Sequence, residues 1–112
     1  MEHSWDSVCL EAHGLVFGDR GATYDHPHDD YSRTCKIFEA KTGIALTPAQ
    51  GIQFMMSMKE SRINNGIEKN LPLNKIRDSV VDLAGYADCL FAELAYPTEE
   101  EEWKQRNALP KL

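Results

Sequence analysis

Lys59 stands where an apolar side chain belongs. At about 100° per residue it falls in the middle of the stripe made by Ile52, Met55, Met56 and Ile63. An unpaired buried ammonium is prohibitively costly. Either its stem snorkels to water near Asn64, or an anion neutralises it. Arg62 lies three positions on, so both cations can project from one side of a helix and grip an anion such as phosphate. The internal anions with matching placement are Asp78 and Asp82, four apart on one face of a later helix beside Gly85. Such a pair can share a cation or hold a divalent metal. It can equally be a solvated or salt-bridged pair.

Two further residues could face a ligand. Arg20 carries a guanidinium able to bind phosphate bidentately, and Tyr24 a ring able to stack on a base; both read equally well as loop anchors. The run His26-Pro27-His28-Asp29-Asp30 superficially resembles the H-x-H-x-D of binuclear metallohydrolases. The last expected histidine is Tyr31, however, and 112 residues are too few for that fold. The plainer reading is a chain break at His26-Pro27 with Asp29 capping the next helix. No G-x-S-x-G, P-loop or Cys-His signature is present.

The elements that must position these residues are all helical. Trp5, Val8, Cys9, Ala12, Leu15 and Val16 recur at helical spacing between a cap at Ser4 and a stop near Gly18. Tyr31, Thr34, Cys35 and Phe38 define a second helix, with Asp29 and Asp30 at its start and Gly43 at its end. Thr47-Pro48-Ala49-Gln50 is a capping box that opens a third, expected to stop at Asn64-Asn65-Gly66 before a loop of about ten residues. Asn74 is placed to cap a fourth. Its broad apolar face runs from Ile76 and Val80 to Phe91 and Leu94, and small residues on the opposite side would admit a neighbouring backbone. Pro97 should end it, and Thr98 with Glu101 begins a short tail helix. The expectation is a single all-α domain over residues 1–112, a four-helix bundle with its core at about 20–95 and the tail helix at about 98–109.

Composition narrows the partners. Twelve Lys and Arg against eighteen Asp and Glu give a net charge of -6 with no offsetting basic stripe, which argues against DNA or RNA. A small anion is still admissible, because local cations can reverse the sign of one pocket. The three cysteines never form C-x-x-C and suit a reducing compartment. No apolar run approaches the roughly 20 residues of a membrane span, and the first ten residues are acidic where a signal peptide is basic. These features predict a cytoplasmic protein without a membrane partner. The two-faced fourth helix predicts a homodimer or homotetramer.

From Arg20 to about Leu90, the order Arg20, Tyr24, Pro27, Thr47-Pro48, Lys59-x-x-Arg62 and Asp78-x-x-x-Asp82-x-x-Gly85-Tyr86 resembles a family of small phage-encoded proteins. These in turn resemble the all-α nucleotide pyrophosphohydrolases of the MazG and dimeric dUTPase type. The resemblance implies an oligomeric MazG-like bundle that hydrolyses nucleoside triphosphates to monophosphate and pyrophosphate, in the host cytoplasm if phage-encoded. It implies magnesium held by acidic residues on two neighbouring helices, with Asp78 and Asp82 as one pair; in an enzyme of this kind Glu60, Asp78 and Asp82 would be catalytic, and the residue chemistry above would put Lys59, Arg62, Arg20 and Tyr24 on the substrate. The sequence departs from that pattern in one place. Where E-x-x-E is expected on the preceding helix, Met55 to Arg62 offers only Glu60.

Three functions remain open at this level. The chain could hydrolyse nucleotides with Mg²⁺. It could instead hold a nucleotide or nucleotide-derived signal without cutting it, as a phage protein opposing a host defence would. Or Lys59, Arg62, Asp78 and Asp82 could form a structural ionic network.

Overall fold

The computed structural model describes residues 8–17 and 26–96. Every regular element among them is an α-helix: α1 (Val8–Phe17), α2 (Pro27–Thr42), α3 (Pro48–Glu68) and α4 (Leu73–Leu94). None is long and apolar enough to cross a membrane. Ser4, Trp5, Gly18, Pro97 and the expected tail helix at about 98–109 lie outside the described residues.

Local chemistry sets most helix ends. Gly43 closes α2 in the left-handed conformation (φ 77°), its N–H bonded to the Glu39 carbonyl at 2.8 Å. At the start of α2, the cap is His26 and not Asp29: His26 Nδ1 accepts the His28 N–H at 3.0 Å. Pro27 takes the first helical position, which forces the cap onto the residue before it and leaves Asp29 and Asp30 facing the dipole. The capping box of α3 forms as expected. The Gln50 N–H donates to Thr47 Oγ1 at 3.1 Å, and the Thr47 N–H to Gln50 Oε1 at 2.9 Å. Thr47→Ala should therefore cost about 1 kcal/mol in a urea melt.

Two expected boundaries move. The third helix runs through Asn64-Asn65-Gly66 to Glu68, so the loop to α4 shrinks to residues 69–72. Gly66 is a packing glycine: a Cβ there would come within 2.8 Å of Ile76 Cγ1. The left-handed residue of this turn is Asn70 (φ 53°). Asn74 is not the cap of α4; Pro72 precedes the helix without a side-chain bond, and its carbonyl accepts the Lys75 N–H at 2.9 Å.

The fourth helix is central, packing against each of the other three. α3 runs antiparallel to it, with Gly66 against Ile76 and Lys59 against Asp82. α1 lies over Gly85, where a Cβ would stand 3.3 Å from Val16 Cγ2, and the Arg77–Glu11 ion pair (2.8 Å) and the approach of His13 Nδ1 to Asp88 Oδ2 (3.8 Å) flank this contact. The first half of α2 crosses the start of α3, where Cys35 Sγ donates to the Thr47 carbonyl, and reaches the end of α4.

The buried side of α4 is the small-residue stripe Val81, Gly85 and Cys89. Backbones approach most closely along such a stripe, so Phe91 and Leu94, expected on a buried face, stay 73% and 67% exposed. One latch escaped the sequence. His28 Nδ1–H donates to Glu93 Oε2 at 2.7 Å, and its ring stacks on Tyr96 at 4.0 Å between centroids. His28→Ala should cost about 1.5 kcal/mol, the value of a hydrogen bond to a charged group, and lower the melting temperature by roughly 6 °C.

Candidate functional site

α1 and α2 both lie on α4 without packing on each other. The gap between them is a cleft of about 400 Å³, within the range of small-molecule sites. Its floor is α4, through Val81, Asp82, Gly85, Tyr86 and Cys89; α1 and α2 form its walls. The floor residues recur at helical spacing, so a single stripe delivers a carboxylate, a phenol and a thiol to one cavity. From α2, Pro27 sets the first turn, and Asp30 and Tyr31 follow one turn later on the same side.

Lys59 settles its own problem through Asp82. The residue is 9% exposed, and its Nζ lies 2.9 Å from Asp82 Oδ2. The ammonium therefore does not snorkel: it approaches from α3, while on the other side of Asp82 the cleft lining holds no basic side chain among the described residues. The second lining carboxylate, Asp30, has Arg33 Nη2 at 3.7 Å on the outer surface of α2.

Burial controls the neutral groups of the cleft. It pushes the Tyr31 phenol well above its ordinary value, with Tyr86 and Cys89 adding to the effect, so Tyr31 remains a hydroxyl that can donate or accept. Burial, with help from Asp88 and Asp30, raises the Cys89 thiol to about 11 from 9.0. The Cys35 thiol is raised as well, by burial and then by Glu93. At high pH the unfolded chain releases these protons before the folded one, so folding binds protons and stability falls with rising pH. Melting temperature should decline between pH 9 and 11, the interval set by Cys89. At pH 8 the exposed Cys9 should react with a thiol reagent well before Cys89.

Of the residues singled out from sequence, Lys59 and Asp82 are brought together. Asp78, Glu60 and Arg62 are exposed, so Arg62 does not join Lys59 in a grip. Arg20 and Tyr24 lie outside the described residues. Among the described residues no three His, Cys, Asp or Glu converge to hold a metal. A divalent ion on Asp82 would stand beside a buried ammonium that already occupies one oxygen, so this donor set does not fit a magnesium cage built by one chain. Sequence reasoning passed over Asp30, Tyr31 and Cys89 as cleft residues. The i, i+4 and i+7 spacing of Asp82, Tyr86 and Cys89 was the signal that could have found the floor.

Comparison with known proteins places the chain among phage proteins. The family described as a domain of unknown function (DUF6378) matches residues 7–94. The chain is also similar to the Gene 55 protein of Mycobacterium phage D29, 27% identical over 108 residues, which is 95% of this chain and 67% of that protein. No solved structure matches it.

Proposed function

The chain belongs to the DUF6378 family, and we propose that it is a MazG-like nucleotide-binding protein whose ligand enters the cleft between α1 and α2. The observation that carries this reading is the cleft itself: a cavity of about 400 Å³ lined by Tyr31 and Tyr86, with Asp82 anchored from behind by Lys59. Aromatic rings offer stacking surface to a base, and the ion pair fixes the Asp82 carboxylate in one orientation.

Binding is better supported than cutting. With Asp82 engaged by Lys59, one carboxylate of the acidic pair that the resemblance assigns to magnesium is already committed to an ammonium, and its partner Asp78 is exposed. The protein then sequesters a nucleotide or a nucleotide-derived signal, a role suited to a phage product acting against a host defence. The hydrolytic reading keeps one observation in its favour: Asp82, on the helix where the resemblance expects acidic residues, does line the cleft. Native mass spectrometry of freshly purified protein, with and without Mg²⁺, tests the proposal. A retained nucleotide mass supports it; pyrophosphate release from added nucleoside triphosphates would convert it to the hydrolytic form.

The same reading includes a homodimer or a dimer of dimers. Among the described residues, Ile52 is the single large side chain that is fully buried, whereas Leu10, Phe54, Ile67, Leu73, Phe91 and Leu94 are each more than half exposed. A second copy covers them by presenting the same surfaces in return.

A further inference from the structure

We infer that the cleft takes the base of the nucleotide and selects bases that carry an exocyclic amino group, as adenine, cytosine and guanine do, over uracil and thymine. This rests on the nucleotide reading above and adds a specificity to it. Among the described residues, the ionic groups in the lining are Asp30 and Asp82, both acceptors, and no Lys, Arg or His joins them. Phosphates would meet two carboxylates there, so they remain at the mouth while the uncharged ring enters. The apolar walls, Leu15 and Val16 from α1 and Pro27 from α2, suit a flat ring, and Tyr31 and Tyr86 add aromatic side chains to the lining.

Donor and acceptor matching then decides between bases. A carboxylate only accepts, so it rewards an amino N–H and opposes a carbonyl oxygen, as carboxylates do when they read the amino group of cytosine in DNA. Uracil and thymine present carbonyls at the position where cytosine presents its amino group. Lys59 holds Asp82 at 2.9 Å, and Asp30 has Arg33 only at 3.7 Å and 58% exposed, so Asp30 is the carboxylate freer to meet a ligand. The protonated Tyr31 hydroxyl can serve the ring nitrogens or carbonyls that remain.

Isothermal titration of the full chain with cytidine, adenosine, guanosine, uridine and thymidine, each also as its triphosphate, tests this. The amino-bearing set should bind about tenfold tighter than uridine and thymidine. Asp30→Asn, whose amide can donate to a carbonyl, should narrow that ratio to within about threefold, while the circular dichroism melt falls by only a few degrees as the carboxylate leaves the start of α2. Tyr31→Phe should weaken every nucleoside. Triphosphates that bind alike whatever their base, and are displaced by inorganic triphosphate, would overturn the inference and leave nucleotide binding standing. A preference for uridine or thymidine, or a preference that survives both Asp30→Asn and Tyr31→Phe, would also overturn it. No binding by any nucleoside or triphosphate would overturn the underlying reading as well.

Discussion

Asp82→Asn is expected to lower stability by about 3 kcal/mol, at the lower end of the cost of breaking a buried ion pair. The two partners are unequally buried: the Lys59 side chain is 11% exposed and that of Asp82 28%. Removing the carboxylate leaves the more buried charge uncompensated, and an asparagine oxygen can accept a hydrogen bond without neutralising it. Lys59→Met leaves the charge that still reaches solvent, and the new side chain suits the stripe of Ile52, Met55, Met56 and Ile63. It should cost about 1 kcal/mol, because the carboxylate it leaves behind can hydrate. At roughly 4 °C per kcal/mol for a domain of this length, Asp82→Asn should melt about 12 °C below wild type. The double variant should recover most of that loss, the coupling expected of residues in contact. Equal effects of the two single substitutions would contradict the asymmetry.

Phe91→Glu should break the oligomer. Phe91 is the most exposed aromatic among the described residues, at 73%, and sits on the central helix near its C-terminal end. A carboxylate placed in a buried apolar interface costs at least about 2 kcal/mol, which weakens association roughly thirtyfold. Light scattering at micromolar concentration should give two or four times the 12.7 kDa chain mass for wild type and a lower mass for the variant. A wild-type mass of one chain would contradict the oligomer.

Signals that act within a few residues were legible in the sequence. The Thr47–Gln50 capping box and the Gly43 stop each depend on a backbone bond made locally, and both appear in the structure. Gly66 was misread because a glycine that permits a left-handed turn looks, in sequence, like one that makes room for a neighbouring helix. Only the position of Ile76 separates the two uses. Asn74 lost its expected role for a similar reason, since the short turn through Asn70 carries the chain into α4 two residues earlier, with Pro72 at the cap position. At the site, the misplaced cation Lys59 signalled a buried partner, and Asp82 on a face of α4 was a candidate to supply it. The cleft was less legible. Asp30 and Tyr31 meet Asp82 and Tyr86 only because α2 crosses α4, and that crossing is fixed by contacts such as His28–Glu93 between residues far apart in sequence.

Two-dimensional amide NMR of the wild-type chain during addition of ribo- and deoxyribonucleoside triphosphates reports nucleotide binding and its location together. If the cleft takes the nucleotide, shifts concentrate at Asp30, Tyr31, Asp82, Gly85 and Tyr86, the residues around it. An unchanged spectrum with every common nucleotide in the presence of Mg²⁺ or Mn²⁺, or shifts confined to the exposed Glu60 and Arg62 of α3, would contradict that reading.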